Sequence, residues 1–320
     1  MVYSININSG SGIIYILSAL IWLVEGIALF LGRQTIGSIT ALINYQGMLI
    51  TPLAFFAEFN NSYKGTVIAI ERIMDILSSE EEIVTGNDIE GKISSIKYQD
   101  VNFQYLKNSD LIIEDANLLF EEGTISALIG GSGCGKSSLI KLLLRLYPVA
   151  SGNIQINGQN LNDITLKSLR KKIALVSQES LFFNGTIWEN LKFGDKINEE
   201  ELEEYSKLLG IYDEIMKMPE KWNTVLNENT TNLSGGQKKR LDILRALLLK
   251  PDIIIFDEST ASIDLERRKL FFGILEKIKK GKILILITHN IEECQCCDYV
   301  YAVKNRNVLQ IKKNNLTEAF

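Results

Sequence analysis

The stretch Gly130-Gly131-Ser132-Gly133-Cys134-Gly135-Lys136-Ser137-Ser138 constrains this chain more than any other. It fits G-x-x-x-x-G-K-[ST], a phosphate-binding loop. Its glycines let the backbone bend into a nest whose N–H groups point inward at phosphate oxygens. Lys136 can reach the β- and γ-phosphates, and the Ser137 hydroxyl can ligand Mg²⁺. The flanks agree with the loop. Residues 124–129 read as a buried strand, and residues 138–145 as a helix whose N-terminus favours an anion. A strand–loop–helix unit of this kind implies an α/β domain that binds a nucleotide.

A length of 320 residues suggests two domains. The mean hydropathy, +0.07, is high for a fully soluble protein and averages over two unlike parts. The net charge is −5 and no basic run occurs, so nucleic acid is not an expected partner. Cys134, Cys294, Cys296 and Cys297 read as reduced cytosolic thiols. With His289, the single histidine, five residues before Cys294, they fit no common zinc spacing.

The apolar excess sits at the N-terminus. Residues 1–12 lack a basic region and are not read as a secretory signal. Residues 13–32 carry one charge, Glu25, and are long enough to cross a bilayer. Unpaired near mid-bilayer, Glu25 would cost ~3 kcal/mol, so it is expected to face a partner. Residues 39–59 form a weaker second span containing Asn44, Gln46, Pro52 and Glu58. Such groups are tolerated where they face protein or a water-filled path. Positive charges hardly set the orientation; the nucleotide loop sets it, because ATP is cytosolic. Residues 66–77 read as an amphipathic helix continuing into the cytosol, and 78–90 as an acidic, polar linker.

From Gly91 onward short β-rich runs begin, at 93–98 and 101–105. Further strands are expected at 152–158, 173–176, 253–256 and 283–287, with residues 186–250 mostly helical. Continuous apolar runs separated by helices indicate a largely parallel sheet covered on both faces. The strand ending in Asp257-Glu258 follows the loop by about 120 residues. A carboxylate at that strand tip can hold Mg²⁺ beside the phosphates, and its neighbour can polarise a water. Leu233-Ser234-Gly235-Gly236-Gln237 opens a helix that Pro251 ends, and makes a second anion site. Two phosphate sites for one nucleotide are redundant, so this one is expected to complete the pocket of a second copy.

In this order, the motifs resemble the C-terminal part of an ABC exporter half-transporter. The phosphate loop, Gln178 after Val176-Ser177, Leu233–Gln237, Asp257-Glu258, Ala261-Ser262-Ile263-Asp264 and His289 at a strand end carry the likeness. Residues 181–190 resemble the exporter segment after the glutamine. The fold so implied is two transmembrane α-helices followed by an α/β P-loop NTPase domain of ABC type with a helical subdomain. Its parts would be a partial membrane domain at 1–78 (helices 13–32 and 38–77), a linker at 79–91, an ATP-binding domain at 92–312 with helical residues 186–250, and a tail at 313–320. The resemblance implies that Tyr105 stacks on adenine and that Gly130 to Ser138 bind phosphate. It makes Glu258 the general base, with Lys136, Gln178 and His289 assisting. Ser137, Gln178 and Asp257 would hold Mg²⁺, Ser234 and Gly236 would contact ATP in the opposite subunit, and Asp264 would communicate across the dimer. The activity implied is ATP hydrolysis driving export of a peptide, lipid or hydrophobic small molecule from the cell membrane. Its partners would be a second ABC subunit, membrane lipid, and the preceding membrane helices on a longer or separate chain; the alternative is a membrane-tethered ATP-binding fragment without transport of its own. Two departures from the pattern are Asn227-Glu228-Asn229-Thr230 before the signature, which keeps only the acid of the usual run, and Asn290 where exporters commonly have Arg.

Overall fold

Alternation of buried side chains along the central strands explains the architecture of the larger part. In β9 (Ile253–Asp257), Ile254 and Phe256 enter one core cluster while Ile253 and Ile255 enter another. The same holds for β10 (Ile283–Ile287), with Leu284 and Leu286 on one face and Ile283, Ile285 and Ile287 on the other. A strand buried on both faces reads as an unbroken apolar run, which is why these two stand out in the sequence.

This computed structural model describes residues 16, 18–33, 35–78, 82, 86–107, 109–192, 197–227, 232–257 and 265–313. The chain divides into two units, Met1–Glu82 and Ile83–Phe320.

In the first unit, residues 18–30 form helix α1, and α2 spans Ile36–Leu77. Thr35 caps α2 through a capping box with Ser38. Gln46 Nε2 donates to Ser18 Oγ at 2.7 Å. The expected helix at 66–77 is the end of α2, and Pro52 lies within the helix. Most described apolar side chains here are exposed, among them Phe30 at 91% and Leu49 at 70%. Among the described residues no helix is both long and apolar enough to cross a membrane. Part of the first expected span, residues 13–15 and 17, lies outside the described residues. In α2, Asn44, Gln46 and Thr51 interrupt the apolar run.

In the second unit, a six-stranded sheet has the order β12-β11-β3-β10-β9-β6. Its members are β3 (Ile125–Ile129), β6 (Ile173–Val176), β9, β10, β11 (Tyr299–Lys304) and β12 (Asn307–Ile311). All neighbouring pairs are parallel except β11 with β12. One face packs on a helical layer: α5 (Ile187–Lys192), α6 (Glu199–Leu208), α7 (Tyr212–Met216) and α8 (Gly235–Leu248). The short pair β7 (Gly185–Thr186) and β8 (Val225–Leu226) brackets that layer. The other face meets α3 (Lys136–Leu143) and a second, antiparallel sheet ordered β2-β1-β4-β5. That sheet contains β1 (Ser95–Phe103), β2 (Ile113–Glu121), β4 (Ser151–Ile156) and β5 (Gln159–Asn160). The remaining helices are α4 (Leu166–Lys171), α9 (Leu265–Ile278) and α10 (Ile291–Gln295).

One sequence expectation needs correcting. Residues 93–98 and 101–105 are not two strands but one, β1, with register shifts around Val101. Asp100, at φ 48°, takes up the extra residue in a left-handed conformation. The expected largely parallel sheet is present, and beside it β1, β2, β4 and β5 form a separate antiparallel one that the sequence did not announce. Asn157 and Gly158, at φ 51° and 81°, make the tight turn that closes β4 on β5.

Candidate nucleotide site

Parallel strands deliver their C-terminal ends to one edge of a sheet, and the sequence motifs collect there. Gly130 follows β3, Asp257 ends β9, Gln178 lies two residues beyond β6, and His289 two beyond β10. The register fixes their order. Ile287 pairs with both Leu128 and Asp257, and Val176 pairs with Phe256.

The loop between β3 and α3 has the predicted form. Gly130 (φ 146°) and Gly135 (φ 111°) adopt conformations that other residues avoid. A Cβ on Gly130 would meet the Val303 carbonyl oxygen at 2.4 Å, and one on Gly135 would meet Ile113 Cδ1 at 2.6 Å. Gly131, Ser132 and Gly133 are exposed, and Cys134 is half-buried. Lys136 is 7% exposed, and its Nζ donates to the Gly130 and Gly131 carbonyls at 2.8 and 2.9 Å. The charged amine is thus buried inside the curl of its own loop.

A cavity of about 410 Å³ is lined by Tyr105, Ser132, Gly133, Gly135, Lys136, Ser137, Ser138, Gln178 and Asp257. It brings the phosphate loop, the aromatic ring of Tyr105 and the side chains of Ser137, Gln178 and Asp257 together. The hydroxyl of Ser137, the carboxylate of Asp257 and the amide of Gln178 are all oxygen donors, the set that suits Mg²⁺. Tyr105 is 37% exposed, and its hydroxyl lies 3.0 Å from Ser138 Oγ. Lys141 Nζ donates to the same hydroxyl at 3.3 Å. Phe103 and Tyr147 pack nearly perpendicular to the Tyr105 ring, at centroid distances of 4.8 and 4.9 Å. None of these supports of Tyr105 was read from the sequence.

Leu233–Gln237 belongs to the helical layer, where α8 packs on α5, α6 and β6. Ser234 caps α8, accepting from the Gln237 N–H at 3.2 Å, while Ser234 N donates to Gln237 Oε1 at 2.8 Å. Leu233 is buried, Ser234 and Gly235 are exposed, and Gly236 is half-buried. Gln237 Nε2 and Arg240 both bond to Glu214 of α7, which anchors the first turn. Glu258 and Asp264 lie outside the described residues, as do Ala261, Ser262, Ile263 and the Glu228–Thr230 part of the altered run.

Cys294 and Cys297 stand at the spacing of a C-x-x-C pair, which the sequence reading passed over. Both are buried, and their thiols donate to the backbone carbonyls of Asn290 and Glu293. Burial pushes the Cys294 thiol up to about 12 and raises Cys297 as well.

Comparison with known proteins agrees with this geometry. Residues 113–261 match the family model described as ABC transporter. The chain is 33% identical over 283 residues to a Staphylococcus aureus protein named as a candidate multidrug export ATP-binding/permease protein, covering 87% of this chain and 49% of that one. It is 30% identical over 316 residues to the heavy metal tolerance protein of Schizosaccharomyces pombe, covering 97% of this chain and 38% of that protein. The solved structure of a bacterial Atm1-family ABC exporter with ATP bound superposes with a TM-score of 0.70 at 25% identity, over 99% of this chain and 56% of that one. Residues 113–261 are similar to the ABC transporter family, and the chain resembles its exporter-type half-transporters. The family match implies nucleotide binding. The chain spans about half the length or less of the curated relatives it matches.

Proposed function

We propose that this chain is the ATP-binding and ATP-hydrolysing part of an ABC exporter, coupling hydrolysis to outward movement of a peptide, lipid or hydrophobic small molecule. The observation that carries the reading is the convergence of Lys136, Ser137, Gln178 and Asp257 on one cavity at one sheet edge. Phosphoryl transfer needs positioning and charge stabilisation more than covalent chemistry, and that cavity offers both. The phosphate loop wraps the β- and γ-phosphates, and the Lys136 amine turns from its own carbonyls towards them. Ser137, Gln178 and Asp257 hold Mg²⁺, which when bound neutralises developing phosphate charge. Glu258 orients and deprotonates the attacking water, His289 contacts the γ-phosphate, and Tyr105 stacks on adenine.

Ser234 and Gly236 cap the nucleotide of an opposing subunit, so the working unit is a dimer with Asp264 at its seam. The uncovered apolar faces of α1 and α2 support contact with lipid and with further membrane helices; in this reading the chain is held in a membrane and its ATP-binding part lies in the cytosol. Residues 1–78 are then a partial membrane domain, 79–91 a linker, 92–312 the ATP-binding domain and 313–320 a tail.

The test is ATP hydrolysis by the purified full chain in lipid. Glu258→Gln is expected to retain ATP binding and lose at least ~100-fold in turnover, as loss of a catalytic base does. Equal turnover in wild type and Glu258→Gln would sink the assignment.

A further inference from the structure

The helix that begins at the signature grips the segment carrying Gln178 at two places. Lys239, Asp242 and Arg245 are spaced by three residues along one face of α8. Lys239 is 6% exposed, and its Nζ donates to the carbonyl oxygens of Ser177 at 2.5 Å and Gln178 at 3.4 Å. Arg245 Nη1 donates to the Leu181 carbonyl at 2.9 Å, and its guanidinium lies 5.1 Å from the Phe182 ring centroid. Asp242, 2% exposed, sits between the two cations and takes Arg245 Nη2 at 2.5 Å. Burying an amine is costly unless its donors are used, and here they go to backbone carbonyls of one loop. Burial lowers the Lys239 pKa while the charges of Asp242 and Asp257 oppose the shift.

We propose that Lys239 is a positioning residue that sets Gln178 in the nucleotide cavity, and that with Arg245 it fastens residues 177–182 to α8 so that signature and glutamine shift together. The inference rests on the proposed ATP site and adds to it the part that links its two halves within one chain. Gln178 lines the cavity with Ser137 and Asp257, so movement of its backbone changes the oxygen set offered to Mg²⁺. Lys239 acts through Gln178 and does not itself touch the nucleotide.

The experiment measures the affinity of the full chain in lipid nanodiscs for a fluorescent ATP analogue, once with Mg²⁺ and once with EDTA. Wild type, Lys239→Met, Lys239→Arg, Gln178→Ala and the Lys239→Met/Gln178→Ala pair are compared, each with its Tm. Lys239→Met is expected to weaken binding with Mg²⁺ by about 3- to 10-fold, the range of one or two lost hydrogen bonds. Affinity in EDTA is expected to hold, Lys239→Arg to retain most of the Mg²⁺ effect, and Lys239→Met to add nothing in the Gln178→Ala background. Equal losses with and without Mg²⁺, a full loss in the Gln178→Ala background, or no loss at all would overturn the proposal. Should Lys239→Met fail to fold, Lys239→Gln, uncharged and similar in length, takes its place with the same expectations. A wild-type chain that binds no nucleotide fails the proposed function itself, and this inference with it; intact binding with an additive Lys239 effect fails the inference alone.

Discussion

The two units place the same kinds of side chain in opposite surroundings. In the second, Ile254, Ile285 and Leu286 are fully buried between a helical layer and an antiparallel sheet. In the first, Trp22, Leu49 and Phe59 are 54–70% exposed along two helices. A long helix whose apolar side chains remain uncovered is not finished by its own chain. The core of the second unit therefore accounts for its own stability, whereas the apolar faces of the first stay uncovered among the described residues. Glu25 makes the point in one residue. Its Oε2 is buried without a hydrogen-bond partner among the described residues, in a small crevice beside Trp22, Ile39, Ile43 and Gln46. The sequence reading expected a partner for this carboxylate; none is found among the described residues.

The sharpest way to break the contrast is a pair of truncations of equal size. Ile254→Ala is expected to cost the ATP-binding unit about 2–5 kcal/mol, because both core clusters close tightly around β9. Urea unfolding followed by Trp fluorescence checks it, and a cost near zero would mean the core is looser than the burial indicates. Next in size, Lys136→Ala is expected to weaken ATP binding by at least ~100-fold, about 2.7 kcal/mol, read by equilibrium titration. Unchanged affinity would detach the phosphate loop from the nucleotide.

A smaller effect comes from the two buried thiols. Their folded pKa values lie above the ordinary thiol value of 9.0, so the unfolded chain releases protons first as pH rises. Their stabilising contribution is fully present below pH 9 and is lost between there and the folded value, about 12 for Cys294. At pH 10, under reducing conditions, the wild type is expected to lose about 1 kcal/mol per thiol relative to a Cys294→Ala/Cys297→Ala variant. Parallel pH profiles for the two proteins would contradict this. Smallest of all, Leu49→Ala is expected to stay within ~0.5 kcal/mol in detergent solution, as surface substitutions do. A loss comparable to that of Ile254→Ala would show that α2 packs on protein the chain itself supplies.

What the sequence revealed follows the same division. Strands 173–176 and 283–287 are found where the apolar runs placed them; in β10 burial on both faces leaves no polar interruption, while in the edge strand β6 only Leu175 is exposed. β11 and β12 escaped, since their turn is Asn305-Arg306 at φ 50° and 71°, a left-handed pair without glycine to announce it. β2 escaped too, because its burial alternates and its pairing with β1 is broken by bulges. At the site, the phosphate loop was legible because its glycines answer to local geometry. The grip of Lys239 on Ser177 was not, since it joins residues 62 positions apart and no local pattern encodes it.

The account stands on a nucleotide site shared between two copies of this domain. It is tested most directly by light scattering of the Glu258→Gln chain with and without MgATP, beside Glu258→Gln/Ser234→Arg. The account predicts dimers formed with MgATP by the first protein and none by the second. Dimers that ignore MgATP, or that survive Ser234→Arg undiminished, would contradict it.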